Sequence, residues 1–131
     1  MKDLENKNII VTGASGGIGN AIIKKLNEAG ANILASGTRI EKLEELKKNF
    51  KRIKILKFDI SQSDKIEEFI ENATNEFGGS LDGIVNNAGI TQDNLAIRMS
   101  LDEWQKVINI NLTSTFLMSK FAIKKMLKNK S

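Results

Sequence analysis

Asn8-Ile9-Ile10-Val11-Thr12-Gly13-Ala14-Ser15-Gly16-Gly17-Ile18-Gly19 decides how the rest of the chain is read. A short apolar run ends in a cluster of glycines. Ile18, Ala21, Ile22, Leu26 and Ala29 then recur at three and four, the spacing of one helix face, until Gly30 stops it. Glycines here let the backbone approach an anion without a Cβ in the way. The free N–H groups and dipole of the helix start then favour a pyrophosphate. Ser15 either caps the helix or donates to a phosphate oxygen. The spacing Gly13-x-x-x-Gly17-x-Gly19 is neither Gly-x-Gly-x-x-Gly nor a P-loop, because no Gly-Lys-Ser/Thr follows. A glycine turn that only packs helix on sheet is the alternative, and the strand-before, helix-after context disfavours it.

The same alternation continues outward. Asn32–Ser36 reads as a second buried strand and Ile40, Leu43, Leu46 and Phe50 as a helix face. Ile53, Ile55, Leu56 and Phe58 form a third strand, followed by a helix through Ile66, Phe69, Ile70, Ala73 and Phe77. Leu81–Val85 is a fourth strand, and a long helix is predicted from about Leu101 to Leu127, with Ser100 as its N-cap. Strands alternating with helices of about 10–15 residues indicate an α/β domain with a doubly wound parallel sheet. Right-handed crossovers predict strand order 3-2-1-4 with helices on both faces. Residues 1–131 read as one domain.

The long helix is apolar nearly all round, through Phe116, Leu117, Met118, Phe121, Ala122, Ile123, Met126 and Leu127, and so expects burial on two sides. Four strands leave the fourth as an open apolar edge. The sequence reads as the first part of a larger domain. Trp104 and the six Phe residues are expected to pack the core.

Composition removes whole classes of chemistry. The 131 residues contain no Cys and no His, which excludes disulfides, thiolate nucleophiles, imidazole bases and His- or Cys-ligated metals. No metal site is expected. No apolar run approaches the roughly 20 residues of a bilayer span, and the charged start is unlike a leader, so a cytoplasmic protein without membrane contact is expected. The net charge is +4, but residues 120–131 hold five lysines and no acid, which leaves residues 1–119 slightly acidic. A basic helix end suits the helix dipole, and nucleic-acid binding is not expected.

Three further positions bear on a ligand. The second strand ends in Ser36-Gly37-Thr38-Arg39, with no acid to take a ribose 2′-hydroxyl. Arg39 and Thr38 instead suit a 2′-phosphate, unless Arg39 is only a solvated helix start. Asp59, past the third strand, either accepts from an adenine amino group or is a turn carboxylate beside Ser61. Asn86-Asn87-Ala88-Gly89 lies at the carboxyl end of the fourth strand, beside the strand-order reversal where ligands bind such sheets. Its small side chains would let a ribose lie against the backbone, with Asn86 hydrogen-bonding it; a bare turn is the alternative.

Taken together, Thr12-Gly13-x-x-x-Gly17-x-Gly19, Asp59, Asn86-Asn87-Ala88-Gly89 and Asn111 resemble a short-chain dehydrogenase/reductase, a Rossmann-like fold, from about Lys7 onward. Asn86–Thr91, Asp93-Asn94-Leu95, Arg98-Met99, Glu103-Trp104 and Asn109-x-Asn111-Leu112 are similar to the 3-oxoacyl-[acyl-carrier-protein] reductases of bacterial type II fatty acid synthesis. The resemblance implies transfer of the pro-4S hydride of NADPH to the 3-keto group of an acyl thioester on acyl carrier protein. It implies pyrophosphate contacts at Gly13, Ser15, Gly16, Gly17, Ile18 and Gly19, adenine contacts at Asp59 and Ile60, ribose contacts at Asn86 and Ala88, and a cofactor contact at Gly89. It assigns Asn111 an auxiliary catalytic role in holding a proton-relay water. Members that use NADPH often carry Arg where Gly16 stands, so the 2′-phosphate would rest on Arg39 and Thr38, and NAD(H) stays open as the other cofactor. The resemblance also implies a tetramer in which the long helix builds a dimer interface.

The same resemblance exposes an absence. The family's general acid is a Tyr followed four residues later by a Lys, aided by a Ser, all downstream of this Asn, and the chain contains no Tyr. The 131 residues alone are therefore predicted to be inactive. A stand-alone dinucleotide-binding module or subunit without catalysis is the alternative reading.

Overall fold

The computed structural model describes residues 4–87 and 100–128. Strand β1 (Asn8–Val11) leads through the glycine loop into helix α1 (Gly17–Glu28), and β2 (Asn32–Gly37) leads into α2 (Ile40–Asn49). Strand β3 (Lys54–Lys57) is followed by a 3-10 turn (Ser63–Lys65) and α3 (Ile66–Glu76), and β4 (Gly83–Val85) precedes the long α4 (Leu101–Lys128). Among the described residues the sheet is four-stranded and parallel, in the order β3-β2-β1-β4. The predicted order and alternation are both observed. Helix α4 starts directly after Ser100, as expected.

The central strands β1 and β2 bury both faces, so their side chains divide by period two between two cores. Ile9 and Val11 of β1, with Ile33 and Ala35 of β2, pack beneath α1 and α2 against Ile23, Leu43 and Leu46. Ile10 and Leu34 point the other way, to Ile66, Phe69 and Ile70 of α3 and Met118 and Ala122 of α4. The result is three layers with the sheet in the middle. At the amino end of the sheet, Asn8 ties three segments together. Its Nδ2 donates to the carbonyl of Ser80 at 3.0 Å, its backbone N–H donates to Asp82 Oδ2 at 2.8 Å, and its Oδ1 accepts from Asn32 Nδ2 at 2.9 Å.

Among its described residues, helix α4 buries one face and leaves another exposed. Leu112, Phe116, Ile123 and Leu127 are 66%, 65%, 52% and 62% exposed. Their spacing of four, seven and four places them on a single stripe. The expectation that every Phe packs the core is corrected at Phe116, which points away from the α3–α4 contact; Phe69 is buried, and Phe50, Phe58, Phe77 and Phe121 are partly so. The side chain of Trp104 and the segment around Arg98 and Met99 lie outside the described residues.

Candidate dinucleotide site at the carboxyl end of the sheet

The site forms where β1 and β4 separate their following connections. Gly13 takes φ +63°, a conformation that favours glycine, and turns the chain away from β1. The loop is held from two sides. The backbone N–H of Ala14 donates to the Ser36 carbonyl at 2.9 Å, and that of Thr12 donates to the Val85 carbonyl at 3.1 Å. Thr12 Oγ1 accepts from the Asn87 N–H at 3.1 Å and itself donates to the Val85 carbonyl at 3.3 Å. Asn87 Nδ2 donates to the Gly13 carbonyl at 3.1 Å.

The three later glycines of the loop do different work. A Cβ on Gly19 would come within 2.5 Å of the Gly13 carbonyl oxygen and 2.6 Å of the Ala14 Cα, so Gly19 lets helix α1 sit on the loop. A Cβ on Gly16 or Gly17 would meet nothing within 4 Å. Those two residues are exposed and open the helix start to whatever lies beyond it. Helix α1 begins at Gly17 with Gly16 at the N-cap and no side-chain cap bond. The capping option for Ser15 is thereby corrected: the helix starts too late for its hydroxyl to serve the first turn, and its Oγ instead stands 2.9 Å from where a Gly37 Cβ would be. Ile18, 71% exposed, sits at the same helix start.

A cleft of about 160 Å³ adjoins Ser15, Gly16 and Gly17 and is closed by Asn20 of α1 and by Lys42 and Glu45 of α2. Thr38 and Arg39 follow β2 immediately and are both exposed, with Arg39 at the N-cap position of α2 and no side-chain cap bond. Asp59 forms the turn that its neighbour Ser61 suggested: Oδ1 accepts from the Ser61 N–H at 2.9 Å and the Ser61 hydroxyl at 2.8 Å. An adenine contact would therefore rest on Oδ2. The side chain of Ile60 is buried in the α3–α4 core. Asn86 is exposed and its Nδ2 donates to Ser119 Oγ of α4 at 3.1 Å.

The structure thus gathers Gly13, Ser15, Gly16, Gly17, Ile18, Gly19, Thr38, Arg39 and Asn86 at the carboxyl end of the sheet, with Asp59 beyond β3. Ala88 and Gly89 lie outside the described residues. Asn111 falls within α4, and its side chain also lies outside them. Sequence reasoning missed Thr12 and Asn87 as the lash on the glycine loop, although both stood inside quoted motifs. It also missed Lys42 and Ser119, which no local pattern marks.

The family described as short chain dehydrogenase matches residues 7–131, and this chain belongs to that family. The chain is 41% identical over 131 residues to the 3-oxoacyl-[acyl-carrier-protein] reductase FabG of Rickettsia conorii, covering 99% of this chain and 52% of that protein. It is 40% identical over 121 residues to nodulation protein G of a Rhizobium species, covering 92% of this chain and 49% of that one. A crystal structure of a short-chain dehydrogenase/reductase from Brucella melitensis superposes with a TM-score of 0.81 at 34% identity, over 96% of this chain and 54% of that one. The chain spans about half the length of the curated relatives it matches.

Proposed function

We propose that this chain is the cofactor-binding half of an NADPH-dependent reductase acting on 3-oxoacyl thioesters carried by acyl carrier protein. The observation that carries the reading is the open pair Gly16–Gly17 at the start of α1, held in place by the lash from Thr12 and Asn87. A pyrophosphate fits there because no Cβ fills the approach and the first N–H groups of α1 face it. Bound NADPH would supply the hydride. Ser15 would donate to a phosphate oxygen, Asn86 would meet a ribose, and Asp59 would hold the adenine end.

Preference for NADP(H) is supported by the cations at the end of β2. Arg39 and Thr38 stand where a carboxylate would otherwise repel a 2′-phosphate, and Lys42 adds a second positive charge across the cleft from Gly16. Asn111, on α4, is the residue assigned to the proton relay. An oligomer, a tetramer in this reading, is supported by the apolar stripe Leu112, Phe116, Ile123 and Leu127, whose exposure suits a protein contact.

Oxidation of NADPH by the native protein, with a 3-oxoacyl thioester on acyl carrier protein, tests the reading. The native protein should turn over that substrate, while the tyrosine-free 131-residue chain binds NADPH and does not. Binding without turnover by the native protein would favour a non-catalytic dinucleotide-binding subunit.

A further inference from the structure

We infer that Ser119 of α4 is a positioning residue for the dinucleotide site, acting by fixing the side chain of Asn86. The inference rests on the cofactor-binding reading above. Asn86 and Asn87 leave β4 together and send their amides in different directions. Asn87 Nδ2 reaches the Gly13 carbonyl of the glycine loop, while Asn86 Nδ2 reaches Ser119 Oγ at 3.1 Å, across 33 residues of sequence.

An exposed asparagine amide has a broad, roughly two-fold torsion and would otherwise sample several orientations in water. The bond to Ser119 selects one of them. With Nδ2 committed to the helix, the Oδ1 atom is left as an acceptor for a ribose hydroxyl, so the ligand need not order the side chain itself. Ser119 is in turn placed by its neighbours: Met118 is buried in the α3–α4 core, and Ala122, one turn further on, is buried there too. Core packing of α4 is thereby transmitted to the mouth of the site. Asn111 lies eight residues earlier on the same helix, about 12 Å along its axis. The Asn86–Ser119 bond therefore registers the helix bearing the relay residue against the end of β4.

The test is a set of NADPH fluorescence titrations on the 131-residue chain and its Ser119→Ala, Ser119→Thr, Asn86→Ala and Asn86→Ala/Ser119→Ala variants. Ser119→Ala should weaken NADPH about fivefold, the effect of one lost hydrogen bond. Ser119→Thr, which keeps the hydroxyl, should restore wild-type affinity. In the Asn86→Ala background, removal of the hydroxyl should cost nothing further, which a general loosening of α4 would not produce. Wild-type affinity in Ser119→Ala, or a loss that adds in full to Asn86→Ala, would overturn the inference while the cofactor reading stands. A folded wild-type chain that does not bind NADPH would overturn the cofactor reading and this inference with it. If Ser119→Ala does not fold, Ser119→Cys against Ser119→Thr makes the same comparison: equal affinities overturn the inference.

Discussion

Asn87 Nδ2 and the Gly13 carbonyl oxygen, 74 residues apart in sequence, are joined by a 3.1 Å hydrogen bond that pins the glycine loop to the end of β4. The Asn87 N–H also donates to Thr12 Oγ1, so one residue holds the loop at two consecutive positions. Asn87→Ala removes the side-chain bond and leaves a partly buried carbonyl without that partner. It should destabilise the chain by about 1–2 kcal/mol in urea unfolding and weaken NADPH as the loop relaxes. Unchanged stability and affinity would show that the lash does not hold the loop.

Gly17 and Gly19 should separate folding from binding. A Gly19→Ala methyl would press into the backbone of Gly13 and Ala14, and overpacking of that kind costs about 1–3 kcal/mol. Gly17→Ala meets no atom within 4 Å and should be neutral or stabilising by up to about 1 kcal/mol. It should nevertheless weaken NADPH at least tenfold, because its methyl enters the space left for the pyrophosphate. Thermal unfolding and NADPH titration on both variants check this. A Gly17→Ala chain that binds normally would remove the cradle.

Cofactor preference should turn on the cations after β2. Arg39→Glu places a negative charge where a 2′-phosphate would rest, and Lys42→Glu places one on the α2 wall of the cleft beside Gly16. Each should weaken NADPH more than tenfold while leaving NADH within about threefold. Equal losses for both dinucleotides would mean that these side chains read something other than the 2′-phosphate.

Helices α3 and α4 share an ion pair with a pH signature. Lys125 Nζ meets Glu71 Oε2, and this bond, with the charges of Lys125 and then Lys128, holds the Glu71 carboxyl below its usual range. A folded value below the unfolded one means the contribution is fully present above the ordinary glutamate range and drains away as pH falls through the folded value. Because Glu71 is exposed, the effect should be small and weakened by salt. Unfolding midpoints measured from neutral to acid pH should decline less steeply in Glu71→Gln than in the wild type. Parallel curves would show that the pair adds nothing.

The architecture was legible because local signals agreed: apolar runs of strand length, three-and-four periodicity between them, and glycines or charged faces at the boundaries. The glycine loop was legible for the same reason, since a strand, a glycine cluster and a helix in that order leave few alternatives. The turn at Asp59 was legible from its neighbour Ser61, while spacing alone fits an adenine contact equally well and does not separate the two roles. Ser119 was beyond reach, since its meaning depends on where a 28-residue helix settles against β4. Phe116 was misplaced because hydrophobicity marks a residue for contact without saying whether the contact lies within this chain.

Phosphorus NMR of NADP⁺ titrated with the folded 131-residue chain tests the central claim most directly. The account predicts saturable, one-to-one shifts of both the pyrophosphate and the 2′-phosphate resonances, the first from the Gly16–Gly17 cradle and the second from Arg39 and Lys42. If neither resonance moves while circular dichroism confirms a folded chain, the assignment of the carboxyl end of this sheet as a dinucleotide site is contradicted.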